Sequence, residues 1–128
     1  PQVQGQEIRE LGTIKLVLAA TRRGLSVEEA FNSGYNMVDW GAVFALQHAR
    51  LFPDMEAPVL RMNQGAMARR LLKHAEGSAY LPEQMLTSAN SSALYRVNGA
   101  AEVERPVFAV YRSGSDREDL IRRVLSVL

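Results

Sequence analysis

The 128-residue chain contains no cysteine, which removes disulfide frameworks, thiolate metal sites and thiol nucleophiles together and fits a reducing compartment. It also lacks an excess of either charge. Fifteen Lys and Arg stand against fourteen Asp and Glu, a formal net charge of +1, so the footprint of a stand-alone nucleic-acid binder is missing. The basic groups Arg69, Arg70 and Lys73, and Arg122 and Arg123, read as solvated helix faces with apolar residues opposite. No run approaches the roughly 18 apolar residues of a membrane-spanning helix; Leu16 to Ala20 is the longest apolar strand-like stretch. The opening Pro1-Gln2-Val3-Gln4 has neither an initiator Met nor a signal-peptide pattern, and a fragment or processed chain is expected.

Catalytic signatures are missing too. The two histidines, His48 and His74, fall inside predicted helices without a second ligand at metal-binding spacing, and read as surface or boundary residues. Phosphate-cradling glycine motifs and the nucleophile-elbow pattern are absent. Asp39 and Asp54 have no evident acid/base partner. The expectation is a non-enzyme with no cofactor and no metal.

What is present is a globular composition, 47% hydrophobic and 23% charged, sufficient for one core. Strand and helix signals alternate. Ile14 to Ala20 predicts a buried strand, and Ser26-Val27-Glu28-Glu29 a capping box opening a helix through Phe31 that ends near Gly34. Tyr35 to Val38 predicts a strand, then Asp39 caps a helix from Gly41 to Phe52 that Pro53 stops. Pro58 to Met62 predicts a third strand. The helix Gln64 to Glu76 follows, with Met67, Ala68, Leu71, Leu72 and Ala75 along one face. Ser78 to Leu81 is the fourth strand, and Pro82 begins another turn. After a polar loop, Thr87 to Ser92, two strands are expected at Leu94 to Val97 and Val107 to Arg112. Ser115-Asp116-Arg117-Glu118 caps a closing helix whose Leu120, Ile121, Val124, Leu125 and Leu128 form one stripe. This order predicts a mostly parallel sheet flanked by helices.

In such sheets ligands lie beyond the carboxyl ends of the strands, where helix N-termini expose unpaired amides. Two junctions have that form, Val38-Asp39-Trp40-Gly41 and Met62-Asn63-Gln64-Gly65. Asn63 and Gln64 both donate and accept hydrogen bonds, or serve only as caps. Trp40 either walls an apolar ligand or packs in the core.

Val38-Asp39-Trp40-Gly41 with Phe44, His48 and Phe52-Pro53, then Pro58-Val59-Leu60-Arg61, resembles the effector domain of LysR-type transcriptional regulators. So do Gly77-Ser78-Ala79-Tyr80-Leu81-Pro82, Arg105 to Arg112, and the helix Leu120 to Leu128. The likeness runs from about Leu11 to the end. It implies one lobe of a periplasmic-binding-protein-like (type II) two-lobed domain, in a cytoplasmic protein that binds a small-molecule inducer between lobes. Residues 1–112 would form the second lobe with its hinge strands, Thr13 to Ala20 and Val107 to Arg112, and 113–128 a helix returning to the first. Carrying the family's second-lobe contacts over favours Asp39, Trp40, Asn63, Gln64 and Tyr80 as ligand-binding residues. Self-association as a homodimer or higher oligomer is implied, with the helix Gly41 to Phe52 as a contact surface. DNA would be bound only through an N-terminal domain that has no counterpart here, and no membrane is involved. A fragment of an exported two-lobed solute-binding protein is the competing reading.

Overall fold

The computed structural model describes residues 5–55, 58, 60–87, 94–112, 120 and 123. The element order is β1 (Gln6–Ala20), α1 (Val27–Asn32), β2 (Tyr35–Val38), α2 (Ala42–Leu51), β3 (Leu60–Met62) and α3 (Gly65–His74). It continues with β4 (Ser78–Pro82), α4 (Glu83–Thr87), β5 (Tyr95–Arg96) and β6 (Val103–Arg112). The chain divides into two compact units, one of Pro1–Ile14 with Glu104–Leu128 and one of Lys15–Val103. The first division falls inside β1 and the second at the start of β6. The predicted closing helix lies outside the described residues apart from Leu120 and Arg123, which are helical.

The sheet of the larger unit runs β3-β2-β4-β1-β5, and β6 pairs with β1. Strand β2 is parallel to both β3 and β4, as the alternating pattern predicts. Strand β1 is antiparallel to β4 and to β5, so the sheet is mixed. Strand β2 therefore starts from the end of the sheet where β1 stops.

Local chemistry sets the first helix. Ser26 Oγ accepts from the Glu29 amide, the Glu29 carboxylate accepts from the Ser26 amide, and the two bonds close the expected capping box. Those bonds to Ser26 hold the Glu29 carboxyl below the usual range.

Both faces of the sheet are buried. Register places Leu18 opposite Tyr80 and Tyr35 opposite Ser78. This face packs under α2, where the Tyr35 and Tyr80 rings lie against His48 at 5.7 and 5.9 Å between centroids. Ala19, Val38, Ala79 and Leu81 point the other way and pack with Ala68 and Leu72 of α3 and with Leu94. Leu16, Leu18, Leu81, Tyr35, Tyr80 and Phe44 are fully buried. The two-period alternation of the strands thus builds two thin cores, one on each side.

On the surface, Lys15 and Arg96 both pair with Glu83 and Glu102. The Arg96 guanidinium, hydrogen-bonded to Glu102, holds that carboxyl below its ordinary range. These groups are about 40% exposed, where ion pairs contribute little to stability.

Candidate functional site

Strands β2 and β3 end side by side, and each leads directly into a helix. Val38 and Met62 are partners in the parallel ladder, and the Asp39 amide extends it by donating to the Met62 carbonyl at 2.8 Å. Asp39 is not the N-cap of α2, contrary to expectation: that position is Gly41, whose side-chain capping bond does not exist. Instead Asp39 Oδ1 accepts from the Gly41 amide at 2.9 Å, a turn closed two residues on. Gly41 adopts φ 103, a backbone conformation open to glycine at little cost. It lets the strand break outward into the helix while the carboxylate stays at the strand end.

The second junction is built by close approach. Gln64 occupies the N-cap of α3 without a side-chain capping bond, and Gly65 starts the helix. A Cβ on Gly65 would lie 2.3 Å from Trp40 Cη2, so the indole packs directly on the helix backbone. Trp40 Nε1 donates to the Tyr80 carbonyl at 2.9 Å, and Tyr80 Oη donates to the Ala101 carbonyl at 2.8 Å. Burial pushes the Tyr80 phenol up to about 12. Trp40 and Tyr80 therefore tie the β2 turn to β4, and neither polar group is spare.

A cavity of about 730 Å³ opens over the ends of β2 and β3. Asp39, Arg61 and Asn63 supply its polar wall, and Met37, Phe44 and Met62 part of its apolar wall. Of the five residues expected at the site, the structure brings Asp39 and Asn63 together here. Trp40, Gln64 and Tyr80 are not in the lining. Gln64 is exposed at the mouth of α3, Trp40 is half-buried, and Tyr80 is fully buried. Sequence reasoning missed Arg61. The signal was available: it lies two residues before Asn63, on the same side of the strand.

His48 is the second revision. Expected at a surface or boundary, it is 4% exposed, with Nε2 at 2.8 Å from Tyr35 Oη. Its ring is enclosed by Phe31, Phe44, Phe52 and Tyr80. Burial, then the Arg61 guanidinium, lowers its pKa below the ordinary imidazole value. The same burial raises the Tyr35 hydroxyl far above the ordinary phenol range. The imidazole and the phenol form a polar pair inside an aromatic layer. Among the described residues no cluster of three His, Cys, Asp or Glu could hold a metal ion. No helix among the described residues is long and apolar enough to cross a membrane.

No protein-family model matches the chain. It is 32% identical over 91 residues to the HTH-type transcriptional regulator HdfR of Yersinia pestis, an alignment covering 71% of this chain and 30% of the relative. The chain thus spans less than a third of the length of the curated relatives it matches. Its fold is that of the regulatory domain of MexT, a transcriptional activator in Pseudomonas aeruginosa. The TM-score is 0.68 at 14% identity, over 98% of this chain and 69% of that one. CbnR, a LysR family transcriptional regulator, superposes with a TM-score of 0.60 at 17% identity, over 98% of this chain and 47% of that one. These relatives are transcriptional regulators.

Proposed function

The chain belongs to the LysR-type transcriptional regulators, matching part of their regulatory domain, and from that premise we propose that it is the effector-sensing lobe of such a protein. It binds a small-molecule inducer over the ends of β2 and β3. The observation that carries this reading is the cavity there, of a size typical for small ligands, with Asp39 and Asn63 from adjacent strand ends on its wall. Trp40 and Tyr80 hold the first junction in place from behind, and Gln64 stands exposed at the start of α3.

In this reading 1–112 form the second lobe with its hinge strands and 113–128 return to a first lobe. DNA is bound through a separate N-terminal domain, in the cytoplasm. Screening the intact regulator by thermal shift against small organic acids, amines and amino acids tests the site. A ligand whose affinity falls about tenfold in Asn63→Ala with Gln64→Ala supports it. Unchanged affinity in that variant for every ligand found counts against it.

Self-association is the second part of the proposal. Val43, Leu46 and Leu51 of α2 and Leu60 of β3 are 63%, 54%, 43% and 42% exposed, and among the described residues β3 has a neighbour on one side only. Apolar side chains beside an open strand edge favour association. Sedimentation should show a dimer or larger species that Val43→Lys with Leu46→Lys dissociates; an unchanged assembly rejects α2 as the contact.

A further inference from the structure

The cavity over β2 and β3 contains two opposite charges that do not meet. Met37 pairs with Arg61 in the parallel ladder, and the Asp39 amide prolongs that register toward Asn63. Alternation puts Met37, Asp39, Arg61 and Asn63 on one face of the two strands. Asp39 and Arg61 are then diagonal neighbours, offset by two residues, with Cα atoms roughly 8 Å apart from strand rise and spacing.

Among the described residues neither charge is neutralised from within. Asp39 and Arg61 form no ion pair among the described residues. The Gly41 amide engages Asp39 Oδ1 and so fixes the carboxylate, leaving its other oxygen without a protein partner there. The remaining walls are apolar: Met37, Phe44 and Met62, with Met67 from α3.

From this arrangement we propose that the cavity selects an α-amino acid with an apolar side chain, its ammonium on Asp39 and its carboxylate on Arg61. The inference rests on the inducer-binding reading above and names the ligand class for that same site. Each protein charge can engage its ligand group through a charge-assisted hydrogen bond. The planar guanidinium grips the carboxylate in a bidentate fashion, and the Asn63 amide serves either group. A ligand with one charge leaves the opposite protein charge facing an apolar body, which costs affinity. The thioether walls adapt to side-chain shape, so selection falls on the two charges and on apolarity.

The test is calorimetric titration of the intact regulator with L-leucine, L-methionine and L-phenylalanine. Each is compared with single-charge analogues, 4-methylpentanoate and isopentylamine for leucine. At least one amino acid should bind ten-fold or more tighter than its analogues. Asp39→Asn should weaken the amino acid about tenfold while leaving 4-methylpentanoate no weaker than in the parent. Arg61→Gln should weaken it similarly and leave isopentylamine no weaker than in the parent. If no amino acid binds, or single-charge analogues bind as well, the ligand class is overturned. The site itself still stands in that case if another ligand loses affinity in Asn63→Ala. If an amino acid binds but ignores Asp39→Asn, Arg61→Gln and Asn63→Ala alike, both the class assignment and the site reading fail.

Discussion

Gly65→Ala separates helix propensity from packing because the two predict opposite signs. Gly65 opens α3, and placing alanine for glycine in a helix is ordinarily stabilising by up to about 1 kcal/mol. The structure puts Trp40 Cη2 at 2.3 Å and Cζ2 at 2.7 Å from the new methyl. The indole has little room to retreat, since Nε1 is bonded to the Tyr80 carbonyl and the ring packs against the core that contains Val38 and Ala68. Overpacking of this kind costs roughly 1–3 kcal/mol, and the loss of the indole hydrogen bond adds about 1 kcal/mol. Net destabilisation of roughly 1–3 kcal/mol remains after the propensity gain is subtracted. Urea denaturation followed by circular dichroism and by the fluorescence of Trp40, the one tryptophan, measures both stability and displacement of the ring. Adding Trp40→Leu should recover part of the loss, a coupling that a double-mutant cycle reads directly. A Gly65→Ala protein as stable as the parent, with unchanged emission, would refute the close packing of this junction.

Three further outcomes follow from the same contacts. Ser26→Ala removes the cap of α1 and should lower stability by about 1 kcal/mol, with the Glu29 carboxyl returning toward its ordinary range by NMR titration; an unchanged Glu29 titration would contradict the capping box. The folded-state pKa of His48 lies below the ordinary value of 6.5, so the unfolded chain binds more protons between the two values. Stability should therefore fall as pH drops from about 6.5, and His48→Gln should flatten that slope in denaturation midpoints measured from pH 7.5 to 5; an identical slope in the variant would remove His48 as its source. Tyr35→Phe leaves His48 Nε2 without its 2.8 Å partner and should cost about 1–3 kcal/mol, against little change for Tyr95→Phe, a half-buried site at the β5 edge.

The alternation of strands and helices was readable because both periodicities are strong here. Leu16 to Ala20 is continuous and apolar, as a strand covered on both faces must be, and the Ser26–Glu29 box names its own helix start. Three features were not readable, each for a physical reason. Strand β1 extends back to Gln6 through a stretch of mixed polarity, because backbone pairing with β6 needs no particular side chains. The antiparallel direction of β1 is a matter of strand pairing, which periodicity does not measure. His48 reads as polar in a helix of modest amphipathicity. Its burial becomes sensible only when Tyr35, thirteen residues earlier, brings a hydroxyl to Nε2. At the candidate site the strand ends were legible, and the division of labour among the residues there was not. A hydrogen-bonding side chain at a strand end looks the same in sequence whether it faces a cavity or a neighbouring carbonyl.

That ambiguity is resolved by parity along β2. Met37 and Asp39 share one face, while Val38 and Trp40 share the other. Val38 packs with Ala68 and Leu72 in the α3 core, which Trp40 joins at its edge, so the tryptophan is committed to structure by its position alone. Asp39 is committed to the opposite side, where Met37 and Arg61 already point. On the neighbouring strand Arg61 and Asn63 join the polar wall, while Met62 packs against the α3 core and also borders the cavity. A one-residue shift of β2 would exchange its two sets, placing Asp39 in the core and Trp40 over the cavity. The anchoring of Trp40 on Gly65 and on the Tyr80 carbonyl therefore does more than stabilise a turn. It fixes the register that presents a carboxylate, a guanidinium and an amide to the same space.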